Sequence, residues 1–141
     1  MPPKALVLDA NILIRAVLGH KVRGLLEQHW GAVQFFAPEV CFHDAQRYLP
    51  ALFRKRALPP IPALEVLTAI ARLVSSVDES VYLDYRAEAK ERIRDRDIDD
   101  WPIVACALAL NCPIWTQDTD FFGVGVPTWT TDRVHLFLEG A

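Results

Sequence analysis

Two aspartates stand where a strand would run out. Ala5-Leu6-Val7-Leu8 is a short apolar run ending at Asp9, and the stretch from Cys112 to Thr116 ends just before Asp118. Ligands of an open parallel sheet bind beyond the carboxyl ends of its strands, so this placement brings two carboxylates to one edge. Each also has an ordinary structural use: Asp9 as the N-cap of the next helix, Asp118 as a turn residue in Thr116-Gln117-Asp118-Thr119-Asp120. A third group, Asp97, Asp99 and Asp100, crowds the start of an apolar helix, where the macrodipole and free N–H groups favour carboxylates. Capping accounts for one of them, and Asp99 is the residue placed for it. It does not account for three, because close like charges repel and raise one another's pKa unless a cation compensates. Asp44, inside a helix opened by Pro38, reads on its own as a solvated polar position.

The elements that must position these residues alternate. The unbroken apolar character of residues 5–8 fits a strand covered on both faces, as in parallel sheets. Helical spacing follows over Asn11 to Leu18 and Val22 to Trp30, punctuated by Gly19 and Gly31. Val33 to Ala37 reads as a second strand, and the helix opened by Pro38 runs towards Arg54. Pro59-Pro60-Ile61-Pro62 reads as a non-helical connector, after which Leu64, Leu67, Ile70, Ala71 and Val74 mark an amphipathic helix. A short strand near Val77, a polar helix from Ser80 to about Arg94, and an apolar helix from about Asp100 to Leu110 come next, the last with Pro102 in its first turn and Asn111 at its end. Val126 to Thr130 supplies a last strand before a short helix. The alternation predicts an α/β fold: a three-layer α/β/α sandwich around a largely parallel sheet of four or five strands, formed by residues 1–141 as one domain.

Composition agrees with a packed domain, since 52% of the 141 residues are hydrophobic and 23% charged. The longest apolar run, Pro102 to Leu110, is about half the roughly 18 residues of a membrane span, and the first residues lack the apolar stretch of a signal peptide. The expectation is a soluble, cytoplasmic protein with no membrane partner. Cys41, Cys106 and Cys112 form no Cys-x-x-Cys pair and sit among apolar neighbours, so they read as buried, reduced thiols.

Four segments together resemble, in order and spacing, the successive signatures of the PIN-domain family. They are Val7-Leu8-Asp9-Ala10-Asn11, Pro38 to Asp44, Asp97-Ile98-Asp99-Asp100-Trp101-Pro102 continuing to Ala107, and Trp115-Thr116-Gln117-Asp118-Thr119-Asp120-Phe121-Phe122. The resemblance runs from residue 5 to about 131. It implies a nuclease whose four acids are Asp9, Asp44, Asp100 and Asp118, serving as metal ligands and catalytic residues. The chain departs at the second position, where Asp44 replaces the family's commoner glutamate and Glu39 stands close by as an alternative. Asn11 and Thr116 take supporting roles in this pattern, with Asp120 as an accessory acid and Asp97 as a neighbour of the third ligand. Hard oxygen ligands suit Mg²⁺ or Mn²⁺, and no Cys/His grouping has zinc spacing. The implied reaction is metal-dependent hydrolysis of single-stranded RNA by an endoribonuclease, in the manner of the PIN-family toxins of prokaryotic toxin–antitoxin modules, with a small antitoxin as partner and a homodimer as the assembly.

The net charge of −3, from 18 acids against 15 Lys and Arg, at first opposes a nucleic-acid partner. With four acids set aside on metal, the remaining surface is close to neutral and has room for local basic stripes. Two stretches qualify: Arg47, Arg54, Lys55 and Arg56 after Asp44, and Arg86, Lys90, Arg92, Arg94 and Arg96 before Asp97. Solvated helix faces, with Glu88 and Glu91 at salt-bridge spacing from Arg92 and Arg94, account for them nearly as well. Trp101, Trp115 and Trp129 read as core rather than as platforms for bases. None of the four histidines is assigned a catalytic role. Two other readings remain: a haloacid-dehalogenase-like phosphatase, which also begins with a strand ending in aspartate but wants a second acid where this chain has Asn11, and a PIN-like scaffold that binds RNA or protein without cutting.

Overall fold

The computed structural model describes residues 3–140. Among them, five strands form one all-parallel sheet in the order β3-β2-β1-β4-β5: β1 (Lys4–Leu8), β2 (Val33–Pro38), β3 (Val74–Val77), β4 (Ile114–Trp115) and β5 (Thr128–Trp129). β1 is central, and Leu6, Val7 and Leu8 are fully buried, which is why that segment carries an unbroken apolar run. The helices α1 (Ala10–Leu18), α2 (Lys21–His29), α3 (Glu39–Lys55) and α4 (Pro60–Ile70) pack among themselves. A second group consists of α5 (Glu79–Tyr82), α6 (Arg86–Ile93) and α7 (Trp101–Leu110), with α7 lying on β1 and β2. The result is a three-layer α/β/α sandwich. A last helix, α8 (Val134–Glu139), is tied back to the first strand through Lys4, whose ammonium donates to the carbonyls of Phe137 and Gly140.

β1 to β4 and β1 to β2 make the centre of the sheet, and their order reverses there. The carboxyl ends of β1 and β4 are therefore neighbours, with Leu8 paired to Trp115. α7 can lie close over β1 because Ala105 and Ala107 are small and buried. It ends on Asn111 in the left-handed conformation (φ 51°), the geometry that lets a short polar residue close a helix. Cys41, Cys106 and Cys112 are free and buried, and no described helix is long and apolar enough to cross a membrane.

Four local expectations need correction. The proline cluster is not a connector: α4 starts at Pro60 and ends at Ile70, because a helix's first turn has no N–H partner to lose and proline's fixed φ suits it. Val74 accordingly belongs to β3 rather than to that helix. The polar helix over residues 80–94 is broken by a 3-10 turn, Leu83–Tyr85, between α5 and α6. The tighter winding leaves Tyr82 buried, edge-on to Trp101 at 5.8 Å, while Leu83 and Tyr85 face solvent. Finally, Asp97 rather than Asp99 is the cap: a 3-10 turn, Ile98–Asp100, precedes α7, and the Asp97 carboxylate accepts the Asp99 N–H at 3.1 Å.

Candidate metal centre

Asp9 is 5% exposed at the end of β1. One carboxylate oxygen accepts the Ile12 N–H at 2.9 Å, so the residue does cap α1, and the other accepts the hydroxyl of Thr116. Thr116 is wholly buried and also works in the opposite direction, its oxygen accepting the Asp118 N–H at 2.9 Å. A single hydroxyl thus fixes the two strand-end acids relative to each other. Asp118 in turn accepts the Asp120 N–H at 2.9 Å, the turn role its sequence neighbours predict. For both residues the ordinary structural role and the placement in the cleft hold together.

Asp9, Asp44, Asp100 and Asp118 line one cleft of about 150 Å³ with Asn11, Cys41, Tyr48 and Asp99. Asp44 comes from α3, which its helical periodicity buries through Cys41, Phe42, Ala45 and Leu49, turning Asp44 towards the strand ends. Asp100 stands at the N-terminus of α7, where its carboxylate makes no capping bond and is free to face the others. Among the described residues, the tightest carboxylate group is Asp100, Asp118 and Asp120, one oxygen from each lying within 4.8 Å of the others. Asp120, expected as an accessory acid, is therefore inside that group, while Asp9 and Asp44 line the cleft outside it. Glu39 faces a different hollow, shared with Asp78, Glu79 and Asp99, and lies 3.6 Å from the imidazole of His43. Asp97 is exposed and occupied as a cap.

The electrostatics record the crowding. Burial first, then the charges of Asp97, Asp118, Asp9 and Asp120, push the Asp100 carboxyl up to about 7. Burial raises Asp9 to about 6 against the opposing hydrogen bonds from Thr116 and Ile12 and the nearby Arg15 charge. The Cys41 thiol, which also lines the cleft, is held far above its usual range by burial and by Asp9 and Asp44. The group at ligand spacing among the described residues is all oxygen, three carboxylates with no imidazole or thiolate among them. This donor set fits a hard divalent cation such as Mg²⁺ or Mn²⁺.

The basic stretches are largely engaged. Arg96 donates to the carbonyls of Thr119 (3.0 Å), Asp120 (2.9 Å) and Phe122, clasping the turn that carries Asp118 and Asp120. Arg92 reaches the Val124 carbonyl at 3.0 Å and pairs with Glu88 at 2.8 Å, and Arg94 pairs with Glu91 at 2.9 Å. Arg86 and Lys90 sit over the Trp101 ring. Arg47 lies 3.5 Å from Asp44, beside the cleft, while Arg54 and Lys55 are exposed at the end of α3. Spacing in the sequence does not reveal the clasping arginines, because bonds to backbone carbonyls of a distant loop leave no pattern among side chains.

Comparison with known proteins bears on the same region. A sequence model of the PIN domain matches residues 7–139. No curated protein matches the chain. Among solved structures, PAE2754 from Pyrobaculum aerophilum superposes with a TM-score of 0.73 at 14% identity, covering 99% of this chain and 91% of that one. VapBC2 from Rickettsia felis, solved bound to a DNA fragment from their promoter, gives 0.70 at 13% identity, with 89% and 98% covered. A toxin-antitoxin complex from Klebsiella pneumoniae gives 0.63 at 16% identity, with 89% and 97% covered. At such identities these likenesses speak to the fold, and it is the fold that the strand order above describes. The haloacid-dehalogenase-like alternative falls away, since the match takes in the segments of all four cleft aspartates. By that match, the chain belongs to the PIN-domain family.

Proposed function

We propose that the protein is a Mg²⁺- or Mn²⁺-dependent endoribonuclease that hydrolyses phosphodiester bonds of single-stranded RNA. The observation that carries this reading is the gathering of Asp9, Asp44, Asp100 and Asp118, from four separate segments, into one cleft at the carboxyl edge of the sheet. Asp100, Asp118 and Asp120 would hold the ion most closely, with Asp9 and Asp44 completing its surroundings. Such an ion, when bound, lowers the pKa of water and neutralises phosphate oxygens. The chain's own part is orientation. Thr116 holds Asp9 and Asp118 in register, Arg96 fixes the turn behind them, and Arg47 offers a cation at the rim that has only one acid partner.

The same reading makes the protein a toxin of a toxin–antitoxin module acting in the cytoplasm, supported by a fold shared with toxin–antitoxin structures. Exposed apolar side chains on and after α3 and α4, among them Tyr48, Leu58 and Leu64, support pairing with a second copy or with a small antitoxin. The test is cleavage of a fluorescent single-stranded RNA. Purified protein should cut it with Mn²⁺ and stop with chelator, and Asp100→Asn and Asp118→Asn should be inactive but folded by circular dichroism. A wild-type protein that binds RNA and Mn²⁺ yet never cuts would instead be a non-catalytic scaffold. Light scattering should report twice the monomer mass.

A further inference from the structure

The acid cleft continues into a second, basic groove. Asn11 and Ile14 line both, and beyond them the groove is walled by Arg15 from α1, Lys21 at the start of α2, Arg56 at the end of α3, and Thr131 after β5. It is a larger space than the acid cleft, about 510 Å³ against about 150 Å³, and open along its length. Among the described residues, no Asp or Glu lines it, and none of Arg15, Lys21 and Arg56 makes an ion pair. The contrast with Arg92, Arg94 and Arg47 is plain, since each of those has an acid within reach. Asp132, in the adjoining hollow, feels the charges of Arg133 and Lys21, but its carboxylate accepts the Thr130 hydroxyl. Arg15 is close enough to the cleft for its charge to act on Asp9.

Three cations without an ion pair among the described residues, on three different helices, facing one channel that opens beside a carboxylate cluster, match the charge pattern of a phosphodiester strand. Such a strand needs its scissile phosphate at the acids and its neighbouring phosphates among fixed positive charges. We propose that Arg15, Lys21 and Arg56 form the path along which single-stranded RNA runs into the acid cleft. This rests on the ribonuclease reading and adds to it where the strand lies and which residues grip it. An anionic channel beside an anionic site would repel the substrate. The groove removes that difficulty without altering the net charge of −3.

The test uses Lys21→Gln/Arg56→Gln, because both residues lie outside the acid cleft, while Arg15 acts on Asp9 and is left in place. Binding of a fluorescein-labelled 12-nucleotide RNA is followed by anisotropy in chelator, so that no cleavage enters. The double variant should bind about tenfold more weakly at 100 mM salt, and its log–log salt dependence should flatten by about 1.4, the value for two lost contacts to a single strand. In Mn²⁺, KM for the same RNA should rise about tenfold with kcat within twofold, while a dinucleotide too short to reach the groove should show no change. Affinity and salt slope within error of wild type would overturn the path, even if cleavage stands, and would leave the groove to an acidic protein partner. A wild type that binds through these residues but never cuts would keep the path and sink the nuclease reading. Circular dichroism and melting temperature equal to wild type exclude misfolding as the cause.

Discussion

Asp100 is the residue at which the site's internal conflict is greatest. Its carboxyl rises from 3.8 to about 7 through burial and four like charges, whereas the unfolded chain feels neither. Between those values the folded protein holds a proton that the unfolded chain has already released. Stability conferred by the protonated form is thus present at acid pH and is lost as pH rises through about 7. Asp100→Asn removes the penalty. Without metal it should melt higher than wild type at pH 8 by roughly 3–8 °C, from about 1–2 kcal/mol after allowing for solvent screening, and the gain should vanish at pH 4. Differential scanning calorimetry of the two proteins across that range reads the result directly, and a destabilised variant at pH 8 would contradict the crowding. Asp99→Asn should be mild, and so should Asp97→Asn, because asparagine accepts the Asp99 N–H as aspartate does. Thr116→Val is the opposite case. It leaves a buried carboxylate oxygen and the Asp118 N–H without partners and should lower stability by about 2–3 kcal/mol in urea unfolding, with Thr116→Ser recovering most of it.

At the scale of elements, the site depends on a segment whose regular structure is a single 3-10 turn, Thr119–Phe121, capped by Asp118. The segment after β4 runs through Asp118, Asp120 and the glycines at 123 and 125 before β5, and Arg96 and Arg92 hold it by its carbonyls. Gly125 has φ 83°, and a Cβ there would lie 2.3 Å from the Arg92 guanidinium. Gly125→Ala should therefore cost about 1–2 kcal/mol in backbone strain and expel Arg92 from the Val124 carbonyl, which urea unfolding would report. Arg96→Ala should weaken Mn²⁺ binding by calorimetry more than it lowers the melting temperature, since it frees the turn carrying two acids while leaving the core intact. These clasps also mark where the sequence stops being legible. β1, α1 and α3 could be read because burial imposes an apolar run or a helical stripe; Asp9, Asp100 and Asp118 stand out because they follow strand ends or open a helix, whereas Asp44, inside α3, is singled out only by the resemblance to the PIN-domain signatures. The break at Leu83–Tyr85, the start of α4 inside a proline cluster, and the entry of Asp120 into the tightest carboxylate group depend on contacts between distant segments. Periodicity does not encode those. β4 and β5 are two residues each, too short for any pattern to delimit.

For the molecule as a whole, the acids of the cleft come from the end of β1, the middle of α3, the start of α7 and the turn after β4, so only the folded chain brings them together. An ion that binds this set binds the native state and has no comparable site on the unfolded one. Its effect on stability then follows mass action, about 2.7 kcal/mol when free ion stands at a hundredfold over its dissociation constant, or roughly 5–10 °C in a chain of this size. Millimolar Mn²⁺ should accordingly raise the melting temperature, chelator should reverse the rise, and Asp118→Asn should abolish it. Protons compete for the same oxygens: with Asp100 at about 7 and Asp9 at about 6, the ion must displace a proton at acid pH and meets free carboxylates above neutrality. The thermal gain should thus be largest near pH 8 and shrink steadily towards pH 5.5, with proton release on binding detectable as a buffer-dependent heat in calorimetry. A gain that persisted undiminished at pH 5.5, or a flat titration at millimolar Mn²⁺, would show that these carboxylates are not the ligands.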